Sequence, residues 1–490
     1  MCAYLTKHRP LRPRRLLNAI SLFVLTSCPL APSIALAESL QEAMASAYAV
    51  NPALKAERSR YQAVNQGVWT ARSDFLPTVT GDFVGEHNAF DSSRDGTSDR
   101  SAFYSMGITV TQPLFQGFSA VNRLNQAHER AASGRNQLLD AEQTLLFNTA
   151  DAYLRVVRDR AILYHLRSYV GVVQQEVTAA RARYRSGDAT KTDVEQARAR
   201  ISEAEGNRDQ AEGDLEGSKA LYARLTGHEP GKIGWPTIPG HLNPANIDEA
   251  ISIAMKQNPA IRAAISDARA ARFAARAAVG DMLPNVQLES SWRNGYRGNL
   301  GNRDQEDFRF GLRVTAPIFS GGRNVSAVRT ARYTATQEQY ELDDIQQTIR
   351  ENIIRAYKQE RAARSRAEAA QRAIRSNKAA ADGLNVEYDG GQRSLLDVLD
   401  GQRELINSKV SHERARYDAT ITKLFLLATM GRLDPGYFDI IAERPREMPR
   451  LIAELNNWVL RLDPTEMEIA HAELPVGPES VAMPHLPAIK

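Results

Sequence analysis

The chain has 490 residues, a formal net charge of +4 and two cysteines. Cys2 and Cys28 both precede residue 38, so the remainder can carry neither a disulfide framework nor a thiolate metal site. Residues 1–37 also hold five Lys/Arg and no Asp/Glu. Beyond them the balance is 57 basic to 58 acidic residues, which removes charge as an argument for nucleic-acid binding.

From the start, Lys7, Arg9, Arg12, Arg14 and Arg15 precede an apolar run from Leu16 to about Leu25, and Ala35-Leu-Ala37 offers a small-x-small cleavage site. This pattern predicts a secretory signal peptide over 1–37, its apolar run too short for a membrane helix. Leu25-Thr-Ser-Cys28 also has the form of a lipoprotein cleavage box, although Pro29 follows directly.

Two halves of the chain then run in parallel. Asn51-Pro52 matches Asn258-Pro259 and Leu76-Pro77 matches Leu283-Pro284, each pair 207 residues apart, while Pro113-Leu-Phe115 matches Pro317-Ile-Phe319 at 204. The change of offset falls in one loop, so the expectation is an internal duplication. Repeat 1 occupies 38–227 and repeat 2 occupies 247–434. A Pro/Gly-rich linker over 228–246 joins them, and a Pro-rich, mostly irregular tail covers 435–490.

Within each repeat the predicted order is helix, strand, strand, long helix, turn, helix. Residues 40–75 and 248–282 are Ala-rich and end at Leu-Pro. Strands follow at about 78–112 and 285–316. Phe308, Phe310, Leu312 and Val314 alternate with Asp307, Arg309, Arg313 and Thr315, and Tyr104, Met106, Ile108 and Val110 alternate with Ser105, Gly107, Thr109 and Thr111. Period two marks a strand with one apolar face. The polar stretches 88–101 and 297–306 read as connecting loops. Proline is then absent from Leu114 to Glu229 and from Ile318 to Asp434. That leaves room for a helix about 100 Å long in each repeat, a length that calls for coiled-coil packing.

Each long helix ends at a turn of the same design. Tyr184, Gly187, Thr190 and Asp193 stand 204 residues before Tyr388, Gly391, Ser394 and Asp397. Gly390 and Gly391 suit the left-handed residue that ends a helix, and Ser394 with Asp397 suits a capping box. Asp397 and Asp400 fall one turn apart on one face. Were such carboxylates gathered from several chains, they would favour cations and titrate as a coupled set, some of them with raised pKa values.

Four amphipathic strands cannot stand open in a bilayer, because edge amides would lack partners at several kcal/mol each. Two copies would give eight strands and a filled interior, whereas three would give twelve and a lumen.

On the duplication, the Leu-Pro strand entries, the exits Pro113-Leu-Phe-Gln-Gly-Phe118 and Pro317-Ile-Phe-Ser-Gly-Gly322, and Gly391-Gln-Arg-Ser-Leu-Leu-Asp-Val-Leu-Asp400, the chain resembles the TolC-like outer-membrane channel family over about residues 38–434. The resemblance implies a mainly α fold with mixed elements. Each chain of a homotrimer gives four strands to a twelve-stranded transmembrane β-barrel, continued by a helical coiled-coil tunnel in the periplasm. It implies a non-enzymatic exit duct for drug efflux or type I protein secretion, docked to a periplasmic adaptor and an RND- or ABC-type inner-membrane pump. It places a constriction ring at Asp397 and Asp400 and gate tethers from Tyr388 and Arg393 to Thr192 and Asp193. Gly187 and Gly391 become the hairpin tips for adaptor docking. Lys191 beside Thr192 and the longer tail depart from the family pattern.

Two rival classes weigh against this one. Gly227-His-Glu-Pro-Gly-Lys232 is one residue short of a phosphate-binding loop, and His128-Glu129 and His412-Glu413 lack the second His of a zinc-protease helix, so no cofactor or metal is expected. A periplasmic coiled-coil adaptor or structural protein would share the long helices but would not need the amphipathic strands.

Overall fold

The computed structural model describes residues 38–92, 97–238, 243–298 and 303–438. The expected signal peptide over 1–37, residues 93–96 and 299–302 of the expected loops, residues 239–242 of the expected linker and residues 439–490 of the expected tail lie outside these. The elements occur in one order twice. Helices α1 (Leu40–Val50) and α2 (Pro52–Ser73), strands β1 (Thr78–Ser92) and β2 (Thr97–Gln116), and helices α3 (Ser119–Ser186) and α4 (Lys191–Thr226) come first. Helices α5 (Ile247–Gln257) and α6 (Pro259–Gly280), strands β3 (Asn285–Gly298) and β4 (Arg303–Thr315), and helices α7 (Arg323–Asp389) and α8 (Leu395–Thr429) follow.

Residues 40–75 are two helices rather than the single one read from composition. Asn51 leaves the helical region at φ −59°, ψ 123°, and its Oδ1 accepts from Ala53 N at 2.9 Å, capping α2. Asn258 does the same for α6, accepting from Ala260 N at 2.9 Å. Pro at the first helical position has no N–H to lose and disfavours helical dihedrals in the residue before it, so Asn-Pro ends one helix and starts the next.

The strands form one antiparallel sheet in the order β1-β2-β3-β4. Its register sets Val79 against Val110, Phe83 against Met106, Ile108 against Trp292, and Leu288 against Leu312, so one face is predominantly apolar, interrupted by Gln112, Ser290 and Asn294. Among the described residues nothing covers that face: Phe83 is 75% exposed and Phe310 68%. The other face is polar, with Arg313 bonded to Glu289 at 2.8 Å and Arg293 3.8 Å from Asp82. The ladder also runs further than composition suggests. Residues 88–92, 97–101, 297–298 and 303–306 are paired strand, not loop, because main-chain pairing continues wherever a partner strand remains in register. Edges β1 and β4 have no partner strand among the described residues.

Sheet meets helices at a tight crossing. A Cβ on Gly117 would fall 2.2 Å from the Gly280 carbonyl oxygen, and one on Gly280 2.5 Å from that of Gly117. Gly117 and Phe118 are left-handed at φ 57° and 64°, as are Gly321 and Gly322 at 62° and 85°. The strand exits of the two halves thus bend alike.

Below the sheet, α3 has 68 residues and α7 has 67. α3 pairs with α4 and α7 with α8, while α8 lies along α3. Across the long helices the order is therefore α4, α3, α8, α7. One core draws on all eight helices around Met44, Tyr153, Tyr222, Ile353 and Leu424. A second, nearer the turns, joins α3, α4 and α8 around Val173, Val177, Ala197 and Leu399. Of the described helices none is long and apolar enough to cross a membrane.

Candidate functional site at the hairpin tips

The two turns lie side by side at the far end of the long helices. In the first, Gly187 is left-handed at φ 87°, and the Asp188 N–H donates back to the Arg183 carbonyl at 2.8 Å. In the second, Gly391 takes the left-handed position at φ 77° while Gly390 stays right-handed at φ −77°. There the Gln392 N–H donates to the Glu387 carbonyl at 2.9 Å. Both helices that leave the turns open with a full capping box. Thr190 Oγ1 accepts from Asp193 N at 3.2 Å while the Thr190 N–H donates to Asp193 Oδ2 at 2.8 Å. Ser394 Oγ accepts from Asp397 N at 3.2 Å while the Ser394 N–H donates to Asp397 Oδ2 at 3.0 Å.

Asp397 and Asp400 are therefore held by different partners. The Ser394 backbone N–H, then its hydroxyl, then the Arg393 charge hold the Asp397 carboxyl below the usual carboxylate range, a shift opposite to the raised value expected of a coupled ring. Donors of its own helix end favour the charged form, and in one chain no like charge faces it closely enough to oppose them. Asp400 turns to α4: its Oδ1 accepts from Arg200 Nη2 at 2.8 Å and lies 3.5 Å from Arg403.

The four tether residues also have local partners. The Tyr388 ring lies under the Arg183 guanidinium at 4.4 Å, and burial pushes its phenol up. Arg183 is also 3.9 Å from Asp389. Arg393 donates through Nε to Glu387 at 2.8 Å, and Thr192 is exposed in the first turn of α4. Within one chain Tyr388 and Arg393 do not bond Thr192 or Asp193. Reading the sequence missed Arg183, Arg200 and Glu387. Arg183 and Glu387 occupy equivalent places, one before each tyrosine, which was the available signal. Arg200 had none, because its partner is set by the register of α4 against α8. Among the described residues no cluster of His, Cys, Asp and Glu is arranged to hold a metal.

An open amphipathic sheet set on paired helices about 100 Å long, narrowing to two capped turns, is the fold of an outer-membrane channel subunit. The chain belongs to the outer membrane efflux protein family, whose model matches residues 43–228 and 250–432. It is 30% identical over 416 residues to the outer membrane efflux protein BepC of Brucella suis biovar 1, covering 84% of this chain and 89% of that one. It is 25% identical over 423 residues to the outer membrane protein TolC of Vibrio cholerae, covering 84% and 95%. With the alkaline protease secretion protein AprF of Pseudomonas aeruginosa it shares 22% over 378 residues, 76% of each chain. The crystal structure of CusC has the same fold, with a TM-score of 0.72 at 19% identity over 81% of this chain and 92% of that one. The family is one of outer-membrane transport channels, not enzymes.

Proposed function

We propose that three copies of this chain assemble into a channel-tunnel, a twelve-stranded barrel in the outer membrane continued by a twelve-helix tunnel through the periplasm. The observation that carries this reading is the sheet: four strands, one exposed and predominantly apolar face, and two edges without a partner strand among the described residues. Edge amides in hydrocarbon cost several kcal/mol each, so β1 of one copy pairs with β4 of the next until the sheet closes. Two repeats of one ancestral unit supply the strands and long helices in equal number, which gives the tunnel a near-sixfold wall.

The duct serves tripartite drug efflux, type I protein secretion, or both, as the names of BepC and AprF suggest for those proteins. A periplasmic adaptor docks at the tips around Gly187 and Gly391 and links the duct to an RND- or ABC-type pump in the inner membrane. At rest the tip is closed, with Tyr388 and Arg393 tethered to Thr192 and Asp193 within the assembled tunnel, and Asp397 and Asp400 ring the constriction. Cargo choice rests with the pump, since a passive wall meets whatever is delivered.

Detergent extraction of the outer-membrane fraction followed by mass measurement tests the assembly. A trimer that inserts into planar bilayers and conducts is the expected result; a monomer extracted by salt alone would overturn it.

A further inference from the structure

We propose that the long helices of neighbouring copies are joined by an electrostatic seam, a row of acids on α4 of one copy meeting a row of arginines on α7 of the next. This deepens the assembly reading above and rests on it. α4 packs on α3 and, near the turns, on α8, while α7 packs on α8 from the other side, which leaves α4 and α7 as the two outer helices of an open arc. Identical arcs joined head to tail close only by setting α7 of one copy against α4 of another.

The two rows are already displayed. On α4, Glu205, Asp209, Glu212 and Glu216 are all exposed and recur at spacings of four, three and four. At 100° per residue they share one flank of the helix, well away from the buried Ala204, Ala211 and Leu215. On α7, Arg361, Arg364, Arg372 and Arg375 are exposed and share one flank away from the buried Ala356, Ala363 and Ala381. Among the described residues, Arg361, Arg372 and Arg375 form no ion pair with an acid of their own chain, and Glu205 forms none with a base, while Asp209, Glu212 and Glu216 are each shared with a base of their own chain, Arg208 at 2.7 Å, Arg167 at 2.9 Å and Lys219 at 2.6 Å. Glu368 interrupts the arginine row but is held by Arg364 at 3.6 Å.

The rows also match in height. Arg183 and Asp389, 3.9 Å apart, put the two turns level. Fifteen residues separate Thr190 from Glu205 and likewise Arg375 from Gly390, so both stand about 22 Å from the tip. Twenty-six separate Thr190 from Glu216 and Arg364 from Gly390, about 39 Å from it. Asp209 and Arg372 agree to one residue. α4 runs away from the tip and α7 towards it. When such antiparallel helices face each other across their solvent sides, both rows fall on the same edge of the contact.

The contact itself has room for a close approach. Gly206, Gly213 and Gly217 lie on the solvent side of α4, and a Cβ on any of them would meet nothing within 4 Å. Mid-helix glycine weakens a helix, and the chain's own packing does not require it here. A neighbouring helix laid across these positions does, and the flanking acids then fix its register.

Beyond the leader the chain has no cysteine, so introduced pairs report only themselves. Glu205→Cys with Arg375→Cys, oxidised in intact outer membranes, is expected to give covalent dimers and trimers, whereas Glu203→Cys on the opposite flank with Arg375→Cys is not. Arg372→Glu with Arg375→Glu should lower the dissociation midpoint of the trimer in SDS, as should Glu205→Arg with Asp209→Arg, and combining all four should restore most of the loss. A wild-type trimer with no Glu205–Arg375 cross-link, or a four-fold variant as weak as either parent, would overturn the seam and leave the channel intact. A wild-type protein that is no oligomer at all would overturn the assembly reading itself.

Discussion

Arg200 Nη2 donates to Asp400 Oδ1 at 2.8 Å, joining α4 of the first half to α8 of the second two to three turns above the tips. The guanidinium also holds Glu203 at 3.0 Å, and Arg403 stands 3.5 Å from the same Asp400 oxygen. The carboxylate that was expected to face a pore thus also clasps the two hairpins together. Outward movement of α8 away from α4 has to break this bond.

Arg200→Ala should therefore loosen the tip far more than it unfolds the protein. The pair is partly exposed, with side-chain exposures of 22% and 41%, so its stability contribution is about 0.2–1 kcal/mol. Single-channel conductance is expected to rise while the thermal midpoint moves little. An unchanged conductance in an assembled trimer would remove the clasp from the gate.

Replacing Arg393 by Ser and Tyr388 by Phe tests the tethers. Phe keeps a ring beneath Arg183 and loses only the hydroxyl, whereas Tyr388→Ala also loses the cation–π contact. Conductance and uptake of large antibiotics should increase for Arg393→Ser with Tyr388→Phe, and further for Arg393→Ser with Tyr388→Ala. If Phe and Ala behave alike, the Arg183 stack plays no part in closure.

In the proposed trimer, Asp397 and Asp400 would place six carboxylates near one constriction. Rings of acids favour cations, multivalent ones most. Asp397→Asn with Asp400→Asn should shift the reversal potential in a salt gradient towards zero and weaken block by trivalent cations by at least roughly tenfold, or about 1.4 kcal/mol of binding. Selectivity that survives the double substitution would place the filter elsewhere.

The pH dependence of the α8 cap has a definite sign. The folded-state pKa of Asp397 is depressed, so its contribution is full above the ordinary carboxylate value of about 3.9 and fades as pH falls through the lower folded-state value. Thermal midpoints of the natural protein and Asp397→Asn should differ near neutral pH and converge in acid. Parallel curves down to the most acidic point would show that the charge of Asp397 does not act through the cap.

Gly280→Ala tests the crossing between sheet and helices. Its Cβ would lie 2.5 Å from the Gly117 oxygen and 2.8 Å from Ser119 N, both backbone atoms that cannot step aside. Overpacking of this kind costs about 1–3 kcal/mol. Gly383→Ala, where nothing lies within 4 Å, serves as the control and should be neutral or stabilising. Equal behaviour of the two variants in thermal unfolding would count against the tight crossing.

Much of this architecture is local chemistry and is legible in the residues alone. Alternation of Phe308, Phe310, Leu312 and Val314 with charged neighbours makes a two-faced strand, because side chains of a pleated backbone alternate sides. The proline-free stretches each hold a long helix, of 68 and 67 residues, and Gly391 with Ser394 and Asp397 builds the turn and cap from within seven residues. Where local chemistry was ambiguous it misled: the Asp/Ser-rich ends of the strands looked like loops, although pairing across the sheet keeps them extended. What only the tertiary structure decided is which helix lies beside which, and at what register. Arg200 meets Asp400, and Arg183 covers Tyr388, because near the turns the α3–α4 hairpin packs against the α7–α8 hairpin. That order depends on the fit of apolar seams along whole helices, so no short stretch of sequence contains it.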